Sequence, residues 1–244
     1  MWCHLDQIRR YNIRSMTSPD LSSLPVVFLA CKVFEGSVNH PANAQPRFLD
    51  YGLHQVPKKL NKTLQEEIDA IEQPSLIVLG YGLCGNGLNE IQAGKHTLIV
   101  PKADDCVAIF MGSRQRYLDQ FFANPGTYYL TKGWFEVGSD PLTEFNNLTE
   151  KYGLETANWL MEQQYQHYRQ LIFVDLAEED LALYRPRALE VAEYCQRFGM
   201  VYEEYLGSGE FIANIEQVLS SPNLPSQEFI VIRPGETLDQ AMFR

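Results

Sequence analysis

The stretch LIVLGYGLCGNGL, residues 76–88, decides the fold. It opens on Leu76, Ile77, Val78 and Leu79, a short unbroken apolar run. Bounded by turn residues, such a run reads as a strand buried on both faces. Gly80, Gly82, Gly85 and Gly87 then surround Cys84, so the strand ends in a tight turn with a thiol at its centre. Runs of the same kind recur along the chain. They are VVFLAC (Val26–Cys31), HTLIVPKADDC (96–106), TYYLTKGWFE (127–136), QLIFVD (Gln170–Asp175), MVYEEYLG (200–207) and EFIVIRPG (228–235).

Helical patterns lie between these strands. In residues 56–72, Leu60, Leu64, Ile68 and Ile71 repeat at spacings of three and four, and Pro57 suits a first turn. A short helix is expected over 86–93. Another is expected over 106–124, with Val107, Phe110, Tyr117 and Phe121 among its apolar positions and Pro125-Gly126 as its stop. Residues 141–168 read as helical with a break at Gly153; residues 186–199 read as a helix stopped by Gly199, and 211–220 as the last helix. Alternation of strand and helix predicts a doubly wound α/β fold, a mostly parallel sheet with helices on both faces. The expected organisation is a loose N-terminal extension over 1–24 and a single α/β domain over 25–244. A sub-boundary, if present, falls near 138–141.

The chain has 244 residues and a net charge of −11. That charge disfavours non-specific binding to nucleic acid or to an anionic membrane, each of which needs a basic face. No apolar run approaches the roughly 20 residues of a membrane span, and the polar start has no signal-peptide core. The expected location is the cytoplasm, with Met16 as an alternative start.

The cysteines are five: Cys3, Cys31, Cys84, Cys106 and Cys195. An odd count in a chain read as cytoplasmic argues against a disulfide framework. Cys195 lies in a helical pattern and reads as a buried structural thiol. Cys31, Cys84 and Cys106 each follow an apolar strand. In an open parallel sheet the strand carboxyl ends share one edge, where ligands bind. Three chemistries use thiolates there: a metal ion, an iron–sulfur cluster, or one activated nucleophile. His54, just before the first helix, is available as a fourth metal ligand, with a satisfied polar residue near a helix start as the ordinary alternative, and imidazole suits several metals. Inert packing is the ordinary alternative for any one of these thiols taken singly.

The loop also contains GxGxxG from Gly80 to Gly85, but after the second strand and without a Walker lysine, a weak case for a nucleotide. The backbone of Gly82, Gly85 and Asn86 is placed to orient an anion or a thiolate. Around the same edge, Arg114 and Lys132 are available to an anionic ligand. Asp105 is available to accept from His54, and Asp175 ends its strand where functional acids or helix caps stand. Tyr128, Tyr129 and Trp134 read as core or rim packing.

GYGLCGNGL, PKADDCVAIFMGSRQRY and PGTYYLTKGW, in that order, resemble the uncharacterised prokaryotic family termed domain of unknown function 1638. The resemblance is close over 26–175 and looser beyond. It implies a cysteine after the first strand, a histidine before the first helix, and the cysteines of the glycine and acidic loops. These fall on Cys31, His54, Cys84 and Cys106. The family's His-Asp-Cys loop reads Asp104-Asp105-Cys106 here. The resemblance brings no established activity; members are encoded near corrinoid-dependent methyl-transfer proteins. It therefore implies a metallocofactor or small-molecule ligand and a corrinoid or methyltransferase protein partner.

The expectation is a Cys/His site for a transition metal, zinc or iron, with an iron–sulfur cluster or a corrinoid as further candidates. The first alternative is a cysteine-nucleophile enzyme in which Cys84 attacks and His54 is the base. The second is a non-catalytic protein holding a nucleotide or other small ligand.

Overall fold

The computed structural model describes residues 21–136, 140–221 and 227–244. The expected N-terminal extension, with Cys3 and Met16, lies outside these residues except for its last four positions, and so do positions 138 and 139 of the sub-boundary near 138–141. The fold is mixed α/β with mostly parallel sheets. In chain order the elements are β1 (Val26–Cys31), β2 (Gln45–Leu49), α1 (Pro57–Asp69), β3 (Leu76–Gly80), β4 (Thr97–Pro101), α2 (Cys106–Phe110), α3 (Arg114–Ala123) and β5 (Thr127–Leu130). Then follow α4 (Lys132–Glu136), α5 (Pro141–Tyr152), α6 (Leu154–Tyr165), β6 (Gln170–Asp175), α7 (Glu178–Cys195), β7 (Val201–Leu206), α8 (Glu210–Ser220) and β8 (Phe229–Ile232).

The strands form two sheets rather than one. The first has the order β2-β1-β3-β4-β8, with β8 antiparallel and the others parallel. The second is β5-β6-β7, all parallel. β6 shows why its run is apolar throughout. Ile172 and Val174 join the core of the first sheet, whereas Leu171 and Phe173 join a second core with α6 and α7. Alternate residues of a strand point to opposite faces, so each face of this strand meets its own core.

In the first sheet the chain goes from β1 outward to β2, then returns to the other side of β1 to lay down β3. The order reverses between β1 and β3. A reversal leaves a crevice at the strand carboxyl ends, the usual ligand site of open α/β sheets. The parallel register pairs Val26 with Leu76 and Ala30 with Gly80. Cys31 and Tyr81 are therefore the next residues on each side, and they leave the sheet as neighbours at that crevice.

Several elements differ from the sequence expectation. β2 carries Pro46 and was not legible as a strand; it lies at the sheet edge, where a residue without an N–H is tolerated. No helix forms over 86–93. Cys84, Gly85, Asn86 and Glu90 all have positive φ, which a right-handed helix excludes, and Gln92 bridges to Thr237 instead. The expected helix over 106–124 is two helices. Gly112 at φ 83° turns the chain, and Ser113 caps α3 by accepting from Arg116 N–H at 3.2 Å. TYYLTKGWFE ends as a strand at Leu130, and α4 follows. There Gly133 lies so close to Val33 that a Cβ would sit 2.8 Å from its side chain. Among the described residues no helix is long and apolar enough to cross a membrane.

The two sheets meet where the loop after β7 crosses the end of α2. A Cβ on Gly207 would lie 2.1 Å from the Phe110 carbonyl oxygen, while Gly207 N–H donates to Asp175 O at 2.7 Å. Phe110 stacks on Phe34 from the β1–β2 connection, with ring centroids 5.2 Å apart. Gly207→Ala is expected to force this crossing open and cost about 1–3 kcal/mol. Gly209→Ala is the control, because nothing lies within 4 Å of its Cβ position. Urea unfolding of the two variants reads the difference.

Candidate functional site

Four segments converge at the carboxyl ends of β1, β3 and β4. The glycine loop after β3 is zipped to the acidic loop after β4: Leu83 N–H donates to Ala103 O and Cys84 N–H to Asp104 O, both at 2.9 Å. Gly82 makes this approach possible. A Cβ there would sit 2.7 Å from the backbone nitrogen and Cα of Asp105. The next residues form a tight turn closed by Gly87 N–H to Cys84 O at 3.1 Å, with φ of 47°, 63° and 71° at Cys84, Gly85 and Asn86. Glycine and asparagine tolerate the left-handed region; a cysteine there costs about 1–2 kcal/mol. Such strain is found where function fixes a side chain.

Cys106 begins α2, whose cap is Asp105. The Asp105 carboxylate accepts from Val107 N–H at 2.9 Å and Ala108 N–H at 3.2 Å, and from the Tyr117 hydroxyl at 2.9 Å. It is therefore committed to α2 and Tyr117. The expected acceptor for His54 is instead the Tyr51 carbonyl, which His54 Nδ1 meets. A carbonyl only accepts, so Nδ1 carries the proton and Nε2 of the neutral ring keeps its lone pair. His54 lies on a short 3₁₀ turn, Tyr51–Gln55, capped by Asp50, and its ring stacks against Trp134 at 6.3 Å.

A cavity of about 230 Å³ opens at this junction. Cys31, Cys84, Cys106 and His54 all line it, with Asp50, Asp105, Tyr51, Tyr81 and Trp134 around them and Leu53 and Val107 as apolar wall. No lysine or arginine is among the lining residues. The three strand-end cysteines and the histidine thus share one cavity. Among the described residues, no group of three or more His, Cys, Asp or Glu side chains is clustered tightly enough to hold a metal ion.

The electrostatics explain the state of the sulfurs. Burial pushes the Cys31 thiol up to about 11, and raises the Cys84 and Cys106 thiols as well. Asp105 adds to both of the latter, and the sulfurs raise one another. Backbone N–H groups act the other way: Val33 toward Cys31, and Gly82 and Cys106 toward Cys84. These donors favour a thiolate but do not outweigh burial. Without a nearby cation the sulfurs are neutral at pH 7.

Of the other residues singled out in the sequence, Gly85 and Asp105 line the cavity. Gly82 lies beneath the Asp105 backbone, and Asn86 lines a separate surface hollow beside α1. Arg114 forms an ion pair with Asp104, its Nε 2.9 Å from the carboxylate. Lys132 pairs with Asp180. Asp175 is fully buried and accepts from Leu176 N–H at 2.8 Å and Lys132 N–H at 3.3 Å. Arg114, Lys132 and Asp175 are not in the cavity lining. Cys195 packs in the second core, as a structural thiol does. Tyr128 packs there too, and Trp134 touches both cores. Sequence reasoning missed Tyr81, whose signal was its place between Gly80 and Gly82 directly after the strand.

A family model described as a protein of unknown function (DUF1638) matches residues 48–215, more than half of the chain. This chain belongs to the DUF1638 family. His54, Cys84 and Cys106 lie inside the matched stretch, and Cys31 lies before it. No curated protein and no solved structure matches the chain.

In the metal-free protein the raised thiol pKa values have two consequences. Iodoacetamide should modify Cys31, Cys84 and Cys106 slowly at pH 7 and faster only above about pH 9. The unfolded chain loses thiol protons first, near the ordinary value of 9.0, so the folded state binds more protons between there and the raised values. Stability should therefore fall as pH rises above about 9. Rapid labelling of Cys31, Cys84 or Cys106 at pH 7 would contradict this electrostatic account.

Proposed function

We propose that this DUF1638 protein holds a transition metal ion, zinc or iron, at the β1–β3 crevice. The thiolates of Cys31, Cys84 and Cys106 and the Nε2 of His54 are the ligands. The observation that carries the reading is the shared cavity: thiols from three separate strand ends and one imidazole line it together.

Three further features support it. Buried thiols become thiolates only beside a cation, and a divalent ion supplies that cation. The backbone N–H groups at Cys31 and Cys84 offset the charge that a bound thiolate carries. The Tyr51 carbonyl holds His54 in the tautomer whose Nε2 can ligate, the usual arrangement for a metal-bound histidine. Neutral thiols have no electrostatic reason to converge, so the sulfurs close on the ion by side-chain rotation when it binds. A corrin ring far exceeds a cavity of about 230 Å³ and would have to bind across its mouth.

The nucleophile alternative is weaker on the same observations. Among the described residues no hydrogen bond joins Cys84 to His54, and burial raises the thiol instead of activating it. For the nucleotide alternative, the lining holds no lysine or arginine for a phosphate.

Protein purified without oxygen and without a metal-affinity tag should carry about one zinc or iron per chain by elemental analysis. Cys84→Ser and Cys106→Ser should each cut that occupancy to less than half. His54→Ala should weaken binding without unfolding the chain. Wild-type protein with no metal above background, together with one hyper-reactive Cys84, would overturn the reading in favour of the nucleophile.

A further inference from the structure

Tyr81 leaves β3 beside Cys31 and lines the same cavity. The residue is only 3% exposed, and its hydroxyl is buried with no hydrogen-bond partner among the described residues. The groups that act on it electrostatically are Cys31, Cys84 and Asp50. Neither sulfur accepts its proton, although both are near. A buried hydroxyl without a partner has lost water and gained nothing. Those of Ser37, Tyr129, Thr131 and Tyr194 are so placed too, but of this set only Tyr81 lines the cavity.

The cavity limits what that partner is. Asp50 and Asp105 bring negative charge, a metal bound by three thiolates adds no net positive charge, and no lysine or arginine lines the wall. An anionic ligand would enter without a counter-charge. Leu53, Val107 and the Trp134 ring favour a small apolar body. A neutral carbonyl oxygen suits both demands, because one lone pair can join the four protein ligands as a fifth and the other can accept from Tyr81.

We infer that the Tyr81 hydroxyl donates to the carbonyl-type oxygen of a small uncharged ligand bound in this cavity beside the metal. The inference rests on the metal reading above. It makes Tyr81 a ligand-binding residue whose hydroxyl is poorly satisfied until the ligand arrives.

The test uses the full chain loaded with cobalt, whose visible spectrum reports its coordination, and isobutyramide as the probe. Wild-type protein should show a saturable spectral change with isobutyramide, and acetate should bind no more tightly. Tyr81→Phe should take up the same amount of cobalt and bind isobutyramide roughly three- to ten-fold more weakly. In the metal-free protein the same substitution should raise Tm by about 2–4 °C, because it removes an unpaired buried hydroxyl. Equal affinity in the two proteins, no response of wild type to isobutyramide, or a lower Tm in the variant would each overturn the inference. Failure of the wild type to take up cobalt would sink the metal reading and the inference with it. Cobalt stoichiometry tells that case apart from the others.

Discussion

The site depends on two backbone hydrogen bonds, Leu83 N–H to Ala103 O and Cys84 N–H to Asp104 O. They bind the loop after β3 to the loop after β4 and bring together two thiols that the sequence separates by more than a turn of any helix. The bonds form only because Gly82 has no side chain to hold Asp105 away. Once the loops are joined, the third thiol follows from sheet register. Cys31 ends β1, which pairs with β3, so it emerges beside Tyr81 at the same edge. The reversal of strand order at β1 then leaves the crevice open above them.

This corner carries several unfavourable features at once. Cys84 is held in the left-handed region, three thiols are partly or fully buried, and the Tyr81 hydroxyl has no partner among the described residues. The left-handed cysteine and the unpaired hydroxyl each cost stability, whereas the three neutral thiols pack with the first core. Several buried carboxylates are treated differently. Asp140, almost fully buried, caps α5 and accepts from Arg187 at 2.9 Å. Asp175 and Asp105 are likewise met by N–H or hydroxyl donors. The hydroxyls of Ser37, Tyr129, Thr131 and Tyr194 are also buried without a partner among the described residues, but of this set Tyr81 alone lines the cavity of the three thiols.

Much of this was legible in the sequence. The buried strands β1, β3, β4 and β6 were visible as unbroken apolar runs, because a strand covered on both faces needs no polar side. The placement of Cys31, Cys84 and Cys106 at one edge followed from the parallel sheet alone. What was not legible depended on contacts between distant residues. Pro46 hid β2 because its edge position is a property of the sheet, not of the segment. The break at Gly112 reflects the approach of Ser208, whose Cβ would lie 2.4 Å from an added methyl. The close fit of Gly207 against Phe110, where the two sheets meet, is likewise a contact between distant residues. Local pattern also promised Arg114 and Lys132 to a ligand, whereas Asp104 and Asp180 claim them. The acceptor for His54 is a carbonyl three residues away, which no side-chain inventory announces.

The central claim is that three sulfurs from separate strand ends close on one ion. X-ray absorption at the metal edge of the zinc- or iron-loaded protein addresses it directly. The account expects a shell of about three sulfurs near 2.3 Å, with one nitrogen or oxygen ligand at a shorter distance. A shell made only of nitrogen and oxygen, or a single sulfur, would contradict it.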